Sequence, residues 1–102
     1  MKIQLLYFRG CPHVDGARQV LRAALEASAL PGVAVEELDV EATTTPIELR
    51  SWGSPTILVN GSDVAGADAP TGVGCRLYSG GVLAGVPPQP LIESRLREAI
   101  ES

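Results

Sequence analysis

Two thiols, one imidazole and one proline carry the chemical interest of this sequence. Cys11 stands in Tyr7-Phe8-Arg9-Gly10-Cys11-Pro12-His13-Val14, where an apolar run stops at a glycine and a helical pattern starts. That spacing places a single thiol at a strand-to-helix turn, at or beside a helix N-cap. The N-terminus of a helix carries roughly half a positive charge, so a thiolate is stabilised there. Arg9 and His13 add to that field, and Asp15 opposes it. The fourth position of the motif is Val14, not a second cysteine, so the thiol has no partner within the helical turn. Its alternative reading is a small apolar residue closing the first strand.

Cys75 is the other thiol, far downstream and outside any short-range motif. Three roles are open to it. As a resolving thiol it closes a disulfide with Cys11, restricting the unfolded chain by about 4 kcal/mol on the loop-entropy account. As a second soft ligand it makes a two-thiolate site suited to Hg(II) or Cu(I). As a core residue it is simply buried on a fourth strand. The distance between the two Cα atoms decides the first role, since a disulfide needs less than roughly 7 Å.

His13 either folds back toward the Cys11 sulfur or stands as an exposed residue of the first helical turn, and as the one histidine it offers no metal cluster. Trp52, just before Gly53-Ser54-Pro55, either lines a groove beside Cys11 or anchors a short helix on the sheet. Tyr7, Phe8 and Tyr78 read as core or rim packing. Asp63 and Asp68 lie in a Gly/Ala loop without a regular ligand spacing, so no Ca²⁺ or Mg²⁺ site is indicated. The glycines from Gly72 to Gly85 are not followed by Gly-Lys-Ser/Thr and make no phosphate loop.

The elements that must position these residues follow from periodicity. Residues 2–8 read as a buried strand, and residues 12–29 as a long helix with Pro12 in its first turn and Pro31-Gly32 as its stop. Residues 33–39 read as a second strand. Thr45 and Pro46 start a short helix through Ser51, with Thr45 as N-cap. Residues 56–59 form a third strand ending at the hairpin signal Asn60-Gly61. Residues 62–74 are a loop, Cys75 to Tyr78 a fourth strand (with Val64 as a further strand candidate), and residues 89–101 a final helix. The order β-α-β-α-β-β-α predicts one α/β domain over 1–102, a mixed four-stranded sheet with three helices on its two faces. The first two strands should be parallel, and the third and fourth antiparallel.

Composition narrows the function. The chain has 102 residues, 8 basic against 12 acidic, and a formal charge of −4. Its basic residues are scattered, which argues against nucleic-acid binding. No apolar stretch approaches membrane-spanning length, and the N-terminal run is too short for a signal peptide. Two cysteines are too few for a secreted disulfide scaffold, so the expected location is cytoplasmic and no membrane partner is foreseen.

The element order, a cysteine at the first strand-helix junction and a proline opening the third strand together resemble the thioredoxin fold. Cys11-Pro12-His13-Val14 stands at the place of that family's Cys-x-x-Cys, and Gly53-Ser54-Pro55-Thr56 where it carries a cis-proline facing the active-site cysteine. Tyr7 to Pro12, Gly53 to Thr56, Gly74 to Tyr78 and Gly85 to Pro88 are further similar to a group of small bacterial thioredoxin-like proteins, some labelled as related to alkylmercury lyase. The resemblance implies a cis Ser54–Pro55 bond that turns the Ser54 N–H and C=O toward Cys11, where they can pair with an extended peptide or glutathione. It implies Cys11 and Pro55 as the reactive pair, to which Cys75 is added as a possible resolving thiol, with Pro12, His13, Ser54 and Trp52 around the substrate. The expected activity is monothiol thiol-disulfide or glutathione-linked redox chemistry. A non-catalytic interaction domain and mercury handling through Cys11 and Cys75 are the alternatives. No cofactor is expected, the expected partner is a protein disulfide or glutathione, and the sequence sets no oligomeric state.

Overall fold

The computed structural model describes residues 1–70, 72, 74–78 and 85–101. Among these residues four strands and two α-helices are formed: β1 (Ile3–Tyr7), α1 (Val14–Ala27), β2 (Val35–Asp39), β3 (Thr56–Val59), β4 (Ser62–Asp63) and α2 (Gln89–Glu101). The strands lie in the order β2-β1-β3-β4. β1 pairs parallel with β2, from Ile3 opposite Val35 to Tyr7 opposite Asp39. It pairs antiparallel with β3, from Ile3 opposite Val59 to Leu6 opposite Thr56. β3 turns back into β4 through Asn60 and Gly61, both at positive φ (51° and 84°), as a tight hairpin turn of this sequence requires.

The alternation of β1 sends its side chains to two different cores. Ile3 and Leu5 join Ile57 and Val59 of β3, Ala17, Leu21, Ala24 and Leu25 of α1, and Ile92 and Leu96 of α2. Both long helices therefore cover the same face of the sheet. On the other face, Leu6 and Leu58 meet Val40 and Trp52, with Phe8, Leu38, Leu49 and Ala67 packed around them.

The three-helix arrangement is not found among the described residues: the middle helix is a single 3₁₀ turn, Ile47–Leu49, and neither described α-helix covers the second face. Thr45 does not cap it. Its buried Oγ1 donates to the Asp39 C=O at 2.5 Å, while the Arg50 guanidinium donates to the Thr45 C=O (2.8 Å) and the Thr43 C=O (2.6 Å). Those carbonyls are thus bound by a side chain in place of the amides of a growing helix. The fourth strand is Ser62–Asp63, not Cys75 to Tyr78. The edge of β3 is claimed by its own hairpin, continued by the Val64 N–H donating to the Ile57 C=O at 3.1 Å. Cys75 pairs with Ser54 in an isolated parallel bridge.

Helix α1 ends before Pro31-Gly32. Ala29 adopts a left-handed φ of 58°, and the Leu30 N–H donates back to the Leu25 C=O at 2.8 Å, which closes the last turn. No helix among the described residues is long and apolar enough to cross a membrane.

Candidate thiol site

After Tyr7 the chain leaves β1 and turns at Gly10, whose φ of 85° suits a residue without Cβ. The turn is closed by the Cys11 N–H donating to the Phe8 C=O at 3.3 Å. Helix α1 starts at Val14 with His13 as N-cap residue, and no side chain caps it. Cys11 therefore stands two residues ahead of the N-cap, and Pro12 is an exposed turn residue ahead of the helix. The Cys11 side chain is buried, with 9% of the residue exposed.

His13 is neither exposed nor free to swing. Its half-buried ring lies against the Cα of Gly85; a Cβ built on Gly85 would stand 2.2 Å from His13 Cδ2 and 2.5 Å from Cγ and Nε2. Gly85 thus lets the approach to α2 close over the start of α1.

The Ser54–Pro55 peptide is cis, the isomer that the resemblance implies. Ser54 is fully buried and touches both neighbours. Its Oγ accepts the Phe8 N–H at 3.3 Å, three residues before Cys11. Its own N–H donates to the Gly74 C=O at 2.8 Å, and its C=O accepts the Arg76 N–H at 2.9 Å. Between those two bonds lies Cys75, opposite Ser54 and exposed to solvent. This overturns the expectation that the Ser54 N–H and C=O await a substrate, because the chain itself takes both. It also removes Cys75 from the core. Both cysteines are free thiols.

The segment Gly74–Tyr78 is fastened by its alternate residues. Arg76 Nη1 and Nη2 donate to Asp63 Oδ1 and Oδ2, each at 3.0 Å, in a two-pronged ion pair, and Nη1 also donates to Thr56 Oγ1 at 3.1 Å. Asp63 has no side-chain exposure and also accepts the Ala67 N–H at 3.1 Å. The guanidinium lies 4.7 Å from the Tyr78 ring centroid and 5.9 Å from that of Trp52, within cation-π range. The stem of Arg76 passes over Gly53, where a Cβ would come within 2.6 Å of Arg76 Cγ. The Tyr78 hydroxyl donates to the Pro55 C=O.

Burial pushes the Tyr78 phenol up from its ordinary range; Arg76 pulls it down, while Asp63 and a thiolate at Cys11 push with burial. Leu77, by contrast, is 82% exposed beside Cys75.

Ser54, next to Pro55, is thus bonded to Phe8, three residues before Cys11, and to the residues on either side of Cys75. Trp52 is packed in the second core, which supports its role as an anchor. Asp63, Thr56, Arg76, Gly53 and Gly85 were not singled out by sequence reasoning as site residues. The signal available for Arg76 and Tyr78 was their two-residue spacing, which turns both inward while Cys75 and Leu77 face out. Among the described residues, no group of three or more His, Cys, Asp or Glu side chains is placed to hold a metal. A separate cavity of about 360 Å³ lies between α1 and β2, lined by Leu5, Leu21, Leu25, Val33 and Val35 among others, and it includes neither cysteine.

No protein-family model matches the chain, and no curated protein or solved structure does.

Proposed function

We propose that this is a thioredoxin-like thiol protein that performs thiol-disulfide exchange through Cys11, with Cys75 as the resolving thiol. The observation that carries the reading is the double attachment of Ser54: its side chain holds the turn leading to Cys11, and its main chain holds the residues on either side of Cys75. The parallel β1-β2 pair joined through α1, the antiparallel hairpin after Pro55 and the final helix support the thioredoxin-like part of the reading.

In the exchange, the Cys11 thiolate attacks one sulfur of a disulfide and expels the other half as a thiolate, which takes up a proton. The Cys75 thiolate then attacks the Cys11 sulfur, forming a Cys11–Cys75 disulfide and releasing the second half. Two external thiols, glutathione by class, reduce that disulfide and are themselves oxidised to one disulfide.

Reduction of a glutathione mixed disulfide by the purified protein, with excess glutathione as electron source, tests the reading. Cys11→Ser should abolish turnover, and Cys75→Ser should leave the first adduct on Cys11 while slowing its release. Unchanged turnover in Cys11→Ser would refute it. The burial of Cys11 and the self-satisfied Ser54 favour one competing reading, a non-catalytic interaction domain. That reading predicts no glutathione adduct at either cysteine beyond ordinary thiol reactivity.

A further inference from the structure

In the order β2-β1-β3-β4, β2 pairs with β1 on one side, and its other side is an edge of the sheet. The Val40 N–H donates to the Tyr7 C=O at 2.7 Å, and main-chain direction alternates along a strand. Glu36 and Leu38 therefore turn their N–H and C=O toward β1, while Val35, Glu37 and Asp39 turn theirs outward. The Asp39 C=O is taken by the Ala42 N–H and the Thr45 hydroxyl. Among the described residues, nothing bonds to the N–H or C=O of Val35 or Glu37 on that outer side.

The cavity of about 360 Å³ lies along the same edge. Leu5 of β1 is its inner wall, Leu21 and Leu25 come from α1, and Val33 and Val35 stand on the β2 side, so it opens away from β1. Val35 packs on the helix-covered core, and Glu37 pairs with Arg18 of α1 at 2.8 Å. The two residues with free outward main chains are thus the two whose side chains face α1. A strand added there sets the residues level with Val35 and Glu37 on that face, and the one level with Glu36 on the other. Charge narrows the occupant. The segment from Val35 to Glu41 holds four carboxylates and no basic residue. Arg18 answers Glu37 and Arg9 reaches Asp39 at 3.6 Å, but Glu36 meets only the neutral Gln4 amide, at 2.9 Å. A second copy of β2 would bring three carboxylates against three with no base between the strands.

We propose that the groove between α1 and the edge of β2 binds an extended basic segment of another protein, in which apolar residues alternate with lysine or arginine. The segment adds antiparallel to β2 as a further strand, the pairing that is slightly the more stable per residue. Its main chain takes the free N–H and C=O of Val35 and Glu37. Its apolar residue level with Val35 enters the cavity, and the basic residue beside it, on the opposite face, meets the Glu36 carboxylate. The groove contains neither cysteine, so binding there does not depend on exchange at Cys11.

The test titrates the isotope-labelled protein with the acetylated, amidated peptide Thr-Lys-Val-Lys-Val-Lys-Thr and follows the backbone amides by NMR. The Val35 and Glu37 amides should shift most and exchange with solvent more slowly in the complex. Methylating the amide nitrogens of the two valines keeps every side chain and removes two main-chain donors; it should weaken binding about tenfold or more. Asparagine in place of both valines tests the cavity, and glutamate in place of the three lysines tests the charge. Each should also weaken binding, and all three changes leave the protein itself untouched. Equal affinity for the parent and methylated peptides would overturn strand addition. Equal affinity for the asparagine or the glutamate peptide would overturn the cavity's or the charge's part in recognition. No binding at millimolar peptide, or largest shifts away from β2, would overturn the site. Val35 and Glu37 shifts that depend on protein concentration without peptide would give the edge to a second copy and overturn the basic partner.

Discussion

The helix-covered face of the sheet and the thiol-bearing end of the sheet are held together by different forces. On the helical face, Leu5, Leu21, Ile57, Ile92 and Leu96 bury almost completely against one another, with no polar side chain in the cluster. At the thiol end, order comes from directed polar contacts: Arg76 on Asp63 and Thr56, Tyr78 on Pro55, and Ser54 on Phe8, Gly74 and Arg76. Apolar packing tolerates small shifts and loses stability in proportion to the volume removed. A buried polar network fails abruptly, because deleting one partner leaves the other charged or unpaired. The molecule thus places a stiff, geometrically specific assembly beside its two thiols and leaves general cohesion to the opposite face.

The largest effect should come from Arg76→Ala. It leaves Asp63 buried without its cation and should cost about 3–5 kcal/mol, read as a shift of the urea midpoint. Replacing both partners by apolar residues of similar volume should recover most of that loss. If the single variant were as stable as the double, the network would not be what orders this end.

Next comes Leu21→Ala on the helical face, at about 2–5 kcal/mol in the same assay. Its mark is selectivity: the reactivity of Cys75 toward a thiol reagent should stay the same in the folded variant, whereas it should change in Arg76→Ala. Equal changes in the two variants would erase the distinction between the regions.

A smaller effect concerns pH. The folded Tyr78 phenol titrates above its unfolded value of about 10, chiefly because it is buried. Its contribution to stability is therefore complete below about pH 10 and is lost as pH rises beyond it, by no more than about 1.4 kcal/mol per pH unit. Urea midpoints measured from pH 8 upward should fall less steeply at the alkaline end in Tyr78→Phe than in the parent chain. Parallel curves would show that the phenol is not buried in this network.

The same contrast explains what the sequence made legible. The helical face was readable because its signals are periodic. The apolar stripe of residues 12–29 marks α1, the apolar run ending at a turn signal marks β1, and Asn60-Gly61 marks the tight turn after β3. The places of Cys11 at a strand-to-helix turn and of Pro55 at the opening of β3 were readable because both are local signals. The Arg76–Asp63 pair was not readable, since one aspartate in a Gly/Ala loop and one arginine after a cysteine share no spacing rule. The fourth strand went astray for a related reason. Both Val64 and the Cys75–Tyr78 stretch could extend the sheet, and only the claim of the hairpin on the edge of β3 decides between them. The middle helix shrank to one 3₁₀ turn because Arg50 binds the carbonyls at its start, a contact that propensity does not report.

On the proposed function, Ser54 ties Cys11 and Cys75 into one exchange unit. The most direct measurement is peptide mapping of the native protein after brief oxidation with glutathione disulfide and acid quenching. The expected main product is an intramolecular Cys11–Cys75 disulfide, formed at a rate independent of protein concentration. Separate glutathione adducts on Cys11 and Cys75, with no cross-linked peptide, would contradict it.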